Sequence, residues 1–437
     1  MWLLPAFSRI AAFAVRTFYR FTVAGGRVPA TGPVLLVANH PNSLLDPATV
    51  AAVAGRPARF LAKAPLFSDR AVGWLVRGAG SIPVYRVVDD PSRMGANEDM
   101  FRAVHDALAE GSAVGIFPEG TSHSGPSLVP LKTGAARMAL GAAKRLGRDF
   151  PVIPVGLVFR SKERFRSEAL AVVGDPVPWA DLRDAGTEDV EAVRELTRRI
   201  DDALREVTIN LERWEDAPLV ECAEEIYAAE WRMETDPAER VERLREATET
   251  LARLRTEERE EWKPIAREVS RHRRVLRALR LRPADLHSRA GMRTAASWTL
   301  RQLAFFALGG PLAALGSVVF YLPYRLTGVL EAKAHPEHDV RATHKVLVGG
   351  ALHLAWILAL GVAAWIWAGP RAGIPVLLGL PLLGVLTVVV RNRWDEAVED
   401  ARRFVLLRRT GKLVPELRAR QREIAERLEA LRVQVGV

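Results

Sequence analysis

From Pro33 to about Val177, short apolar runs alternate with stretches in which apolar residues recur at helical spacing. The runs Val34–Ala38, Arg59–Ala62, Ile82–Tyr85, Ala113–Phe117, Val152–Phe159 and Leu170–Val173 are rich in aliphatic and β-branched residues and read as strands. Ala48–Ala54, Met100–Glu110 and Ala135–Leu146 read as helices between them, with Gly55 and Gly147 placed to close two of these in a left-handed conformation. Such alternation predicts an α/β domain, a largely parallel sheet flanked by helices. Further on, Val241, Leu244, Ala247, Leu251 and Leu254 recur at helical spacing among dense Glu and Arg, which predicts a helical extension with charged outer faces.

The apolar pattern then lengthens. Gln302–Tyr324 and Val346–Pro370 each hold enough apolar residues to cross a bilayer, which needs about 20, and Ala372–Val390 is just adequate. Lys and Arg crowd the flanks before Gln302 and after Val390, and cytoplasmic flanks carry that excess. Three crossings would put those flanks on opposite sides. The preferred arrangement is therefore a spanning hairpin of Val346–Pro370 and Ala372–Val390, with Arg371 at its far turn. Gln302–Tyr324, interrupted by Gly309, Gly310 and Pro311, is then a re-entrant or surface-lying element. At the N-terminus Trp2, Leu3, Phe7, Ile10, Phe13, Phe18 and Phe21 are interleaved with Arg9, Arg16 and Arg20, which suits an amphipathic helix on a membrane. The expected order is an amphipathic membrane-associated helix (1–26), an α/β domain (27–180), a charged helical extension (181–300), membrane-embedded helices (301–392) and a charged helical tail (393–437).

Composition narrows the partners. A net charge of +10 favours anionic groups such as phosphorylated substrates or lipid headgroups. Nucleic acid is disfavoured, because the basic residues do not interleave with aromatics on one module. Cys222 is the single cysteine, so no internal disulfide can form, and no Cys/His spacing resembles a zinc site.

Three clusters carry candidate chemistry. Asn39-His40-Pro41-Asn42-Ser43-Leu44-Leu45-Asp46-Pro47 follows a predicted strand, where α/β sheets place their sites. A neutral imidazole there can take a proton from an alcohol, and a nearby carboxylate can hold its other nitrogen, as in the Ser-His-Asp arrangement. Asp46-Pro47 also fits a plain helix N-cap with Pro at the first position. Phe117-Pro118-Glu119-Gly120-Thr121-Ser122-His123, with Pro130-Leu131-Lys132-Thr133-Gly134, offers backbone N–H groups, hydroxyls and a helix start to an anion. Thr133 could equally be a simple cap. Gly80-Ser81-Ile82-Pro83-Val84-Tyr85-Arg86 puts a guanidinium at a strand end, where it can grip phosphate or stand as an ordinary surface residue.

Together these clusters resemble the glycerolipid acyltransferase family, which includes lysophosphatidic acid and glycerol-3-phosphate acyltransferases. Its His/Asp motif, its motif ending in Arg, its Phe-Pro-Glu-Gly-Thr and its apolar strand with Pro occur in order, the last as Val152-Ile153-Pro154-Val155-Gly156-Leu157. The resemblance covers roughly Arg27–Val177. It implies His40 as base, Asp46 as its partner, and Asn42, Arg86, Glu119, Gly120, Thr121, Ser122 and Lys132 around a phosphorylated acceptor. It also implies acyl-CoA or an acyl carrier protein thioester as donor, membrane lipid as surroundings, and no metal or other cofactor. Five residues separate His40 from Asp46, where the commonest motif has four. That spacing, Asn42, and Ser122-His123 in place of Arg resemble the fungal-type glycerol-3-phosphate/dihydroxyacetone-phosphate branch. A catalytically inactive lipid-binding relative and a metal-dependent phosphohydrolase are the competing expectations.

Overall fold

The computed structural model describes residues 4–70, 72–85, 95, 97–233, 236–257, 259–287, 292–335, 340–409 and 413–435. The chain forms two compact units: Met1–Leu211 with Asp236–Arg245 and Glu337–Thr343, and the remainder.

The first unit opens with helix α1 (Leu4–Phe18) and strand β1 (Arg20–Gly25), then β2 (Val34–Ala38), α2 (Leu45–Ala54), β3 (Ala58–Lys63), α3 (Pro65–Ser68), α4 (Gly73–Gly78) and β4 (Ile82–Val84). It continues with α5 (Asn97–Ala109), β5 (Ala113–Ile116), α6 (Gly134–Leu146), β6 (Val152–Phe159), β7 (Glu168–Val173) and α7 (Val190–Glu206). The seven strands lie in the order β1-β7-β6-β2-β5-β3-β4. All neighbours are parallel except β6 and β7. The central strands β2 and β5 are buried along their whole length, as aliphatic runs covered by helices on both faces must be.

Two expectations need correction. Residues 20–25 are not part of the N-terminal helix; they form the edge strand β1, paired with β7 from Arg20↔Glu168 to Gly25↔Val173. The domain also runs past residue 180, because the apolar stripe of α7 (Val193, Leu196, Ile200, Leu204) completes the sheet's core. Gly156 allows that closure: a Cβ there would sit 1.8 Å from the carbonyl oxygen of Val207, just past α7.

The second unit contains α8 (Ala217–Glu230), most of α9 (Pro237–Thr256), α10 (Trp262–Ala278), α11 (Met292–Val319), α12 (Tyr321–Ala334), α13 (Arg341–Ala368), α14 (Pro370–Arg409) and α15 (Val414–Val435). Three stretches are long and apolar enough to cross a membrane: Ala296–Val319, Arg341–Ala368 and Pro370–Arg408. The sequence places a break at Gly309–Gly310–Pro311, but α11 continues through it. Gly309 and Gly316 instead bring α11 close to Val390 and Thr387 of α14, as small residues do between apolar helices. The chain turns at Phe320.

There the ring of Phe320 stacks on His353 of α13, and Trp356 donates its indole N–H to the Val319 carbonyl at 2.9 Å. The returning α12 reaches Lys345, near the start of α13, through Glu331. At its other end α11 meets Arg393 of α14 through Gln302. The α11–α12 pair thus enters and leaves at one end of the bundle. Its tip lies beside Gly384, seven residues along α14 from Arg391, or about 10 Å at 1.5 Å per residue. The segment His335–Asp339, expected to link this element to the hairpin, lies largely outside the described residues.

Candidate active site

β2 and β5 are neighbours at the centre of the sheet, so the loops leaving their C-terminal ends meet, as parallel topology dictates. Asn39 extends the ladder by one rung. Its side-chain amide accepts from the Leu157 N–H at 2.7 Å and donates to the Leu157 carbonyl at 3.0 Å. His40 follows immediately, with its ring stacked on Phe117 at 4.2 Å between centroids.

His40 Nδ1 lies 2.7 Å from Asp46 Oδ2, and the backbone N–H of Asn42 donates to the same oxygen at 2.6 Å. An ionised carboxylate can only accept, so Nδ1 carries the proton and Nε2 keeps its lone pair for a substrate. Asp46 is fully buried. Burial raises its carboxyl above the ordinary range, opposed by the hydrogen bond and charge of His40, the Asn42 N–H and the charge of Lys162. The N-cap alternative is thereby resolved: α2 starts at Leu45, its N-cap is Leu44, and Asp46 caps nothing. Between His40 and Asp46, Ser43 adopts a left-handed φ of 50°.

Glu119 and Asn42, expected beside the acceptor, face inward instead. Glu119 is 2% exposed; its Oε1 accepts from the His40 N–H at 2.8 Å and its Oε2 from the Val129 N–H at 3.2 Å. His123 contacts that second oxygen through Nε2, while its Nδ1 accepts from the Gly125 N–H, so His123 braces Glu119 as a neutral ring. Asn42 is wholly buried and donates its side-chain amide to Tyr19. Both residues shape the loops that carry His40.

Gly120 has φ 73°, and a Cβ there would fall 2.6 Å from Lys132 Nζ; glycine lets the lysine lie across the loop. Thr121 and Lys132 are exposed and Ser122 half-buried. Thr133 makes no side-chain cap to α6. Arg86 lies outside the described residues. Sequence reading passed over Tyr19 and Lys162, which meet the His40 loop from remote positions.

The chain is similar in sequence to several known proteins. Glycerol-3-phosphate O-acyltransferase 2 of Saccharomyces cerevisiae is 36% identical over 134 residues, covering 30% of this chain and 18% of that protein. Glycerol-3-phosphate O-acyltransferase 1 of the same yeast is 32% identical over 137 residues, again covering 30% and 18%. The 1-acyl-sn-glycerol-3-phosphate acyltransferase of Bacillus subtilis is 28% identical over 157 residues, covering 35% of this chain and 70% of that protein. The chain spans under a fifth of the yeast relatives' length. The matching family model is Acyltransferase, which matches residues 20–158 of this chain.

Proposed function

We propose that the protein is a membrane-embedded O-acyltransferase that moves a fatty acyl group from a thioester, acyl-CoA or acyl carrier protein, to the hydroxyl of a glycerol-phosphate-type acceptor. The observation that carries this reading is His40 held by Asp46 through Nδ1, with Nε2 left to act as a base. His40 takes the acceptor's hydroxyl proton as that oxygen attacks the thioester carbonyl. Asp46 stabilises the imidazolium, which returns the proton to the departing sulfur as the carbon–sulfur bond breaks. Lys132 and Arg86 hold the acceptor's phosphate. The long His-to-Asp spacing and the similarity to the two yeast enzymes support glycerol 3-phosphate or dihydroxyacetone phosphate over lysophosphatidic acid.

The test incubates membranes carrying the protein with labelled acyl-CoA or acyl carrier protein and each of the three acceptors. The expected product is a monoacylated glycerol phosphate or its dihydroxyacetone counterpart; no acyl transfer to any acceptor would overturn the reading. Lys132→Ala should raise the acceptor's KM about tenfold or more, the scale of one charged hydrogen bond, and leave the donor's KM alone. A rise confined to the donor would place Lys132 on the thioester's own phosphates.

The catalytic unit and the C-terminus are assigned to the cytoplasmic face, with Arg371 opposite. Basic residues crowd Arg271–Arg301 and Arg391–Lys412, against one charge at the far turn. Cys222 is buried and is replaced by Ser for the test. A cysteine at Ala372 should then label with an impermeant thiol reagent in intact cells, and one at Lys333 should not. The opposite pattern would make α11 a full crossing.

A further inference from the structure

Lys162 is the third residue after β6, in a run of charged residues that gives it no distinction by spacing. In the folded chain it is only 9% exposed. β6 is the neighbour of β2, so its C-terminal end brings Lys162 beside the loop that carries His40. The Lys162 ammonium donates to the carbonyl of Pro41 at 2.7 Å and to Ser124 Oγ at 2.6 Å. Pro41 adjoins His40, and Ser124 adjoins His123, so one buried cation ties the two loops of the site together. The loops are already joined by the His123 N–H donating to the His40 carbonyl at 3.1 Å; Lys162 supplies a second, charged tie.

The same residue closes a ring of contacts. Its backbone carbonyl accepts from the Tyr19 hydroxyl, which in turn accepts from Asn42 Nδ2 at 2.8 Å. The Asn42 N–H then meets Asp46 Oδ2, and that oxygen meets His40 Nδ1. Starting from Pro41, the path returns to His40 through Lys162, Tyr19, Asn42 and Asp46. The groups around the Asp46 carboxylate are His40 on its own loop, Lys162 after β6 and Tyr19 before β1. Burial pushes the Tyr19 phenol up, so it stays neutral. Lys162 therefore adds its charge to that of His40 near the Asp46 carboxylate.

We propose that Lys162 is a positioning residue for proton transfer: it fixes the His40 loop against the Glu119–Ser124 loop and sets its charge near the Asp46 carboxylate. The proposal rests on the acyl-transfer reading, in which His40 is the base. A lost cation leaves Asp46 easier to protonate, so a higher pH is needed to ionise it and the acid limb of the rate profile moves upward.

The experiment compares full-length wild type, Lys162→Met, Lys162→Arg and Ser124→Ala in membranes. It measures kcat, both KM values, the pH profile of kcat/KM, and Tm. Lys162→Met should lower kcat by about 10–100-fold, by analogy with the loss when the group orienting a metal-bound histidine is removed. Both KM values should stay within about twofold, the acid limb should move to higher pH, and Lys162→Arg should recover most of the rate. Ser124→Ala keeps the charge, so it should lower kcat several-fold with the acid limb in place. An unchanged kcat in Lys162→Met would overturn the proposal. So would a selective rise in the acceptor's KM, which would make Lys162 a substrate ligand, or a rate loss that merely follows Tm with the limb unmoved. If Lys162→Met does not fold, an unchanged kcat in Ser124→Ala overturns it instead. A wild type inactive on every acceptor would sink the acyl-transfer reading itself, and this inference with it.

Discussion

Replacing His40 by alanine is expected to lower kcat at least about a hundredfold, the low end of a general base's contribution. The expectation rests on which contacts the substitution leaves alone. The backbone N–H of His40 donates to Glu119 and its carbonyl accepts from the His123 N–H; neither depends on the side chain. Asp46 keeps the Asn42 N–H as a donor. Tm should therefore change by no more than a few degrees, and both KM values should hold, because the imidazole acts on a proton and not on binding. Near-normal turnover in a folded His40→Ala protein would remove the base from the mechanism.

Asp46→Asn should lower kcat by about 10²–10³-fold. That falls short of the roughly 10⁴-fold loss in the serine-protease triad, where the amide stabilises the wrong tautomer of the histidine. Here a single oxygen, Oδ2, receives both the His40 Nδ1 proton and the Asn42 N–H. The backbone donor compels the introduced amide to present its oxygen at that position, so the useful tautomer of His40 survives and only the negative charge is lost. A loss equal to that of His40→Ala would mean the tautomer inverts after all. A loss under about tenfold would mean the charge is not used.

Much of the catalytic unit was legible because its evidence is local. β2, β5 and β6 are uncharged, largely aliphatic runs, and Gly55 and Gly147 take the left-handed conformations expected at helix ends. His40 and Asp46 lie six positions apart, on one loop and the first turn of α2 that follows it, so spacing alone suggested their pairing. What failed is what depends on distant partners. β1 is six residues long, largely exposed, and follows an amphipathic helix whose pattern it continues on paper; only the pairing with β7 makes it a strand. The stripe of α7 reads as a helix anywhere, but only the folded sheet shows that it closes this core. Glu119 and Asn42 were placed beside the acceptor by resemblance; their burial and their contacts with the His40 N–H and Tyr19 depend on the folded chain. Tyr19 and Lys162 reach the site by topology, and no motif spacing joins them to His40.

The short α11–α12 return has a mechanical consequence for the bilayer. Over its first 10 Å or so from the level of Arg391, the bundle has four helices in cross-section; beyond Phe320 only α13 and α14 continue. In a bilayer the unit takes up more lateral area in the leaflet at that end than in the opposite one. Such a wedge spreads headgroups on one side only. Its elastic cost falls where the membrane bends toward the broader face, so the energy of seating this protein depends on local curvature as well as on thickness.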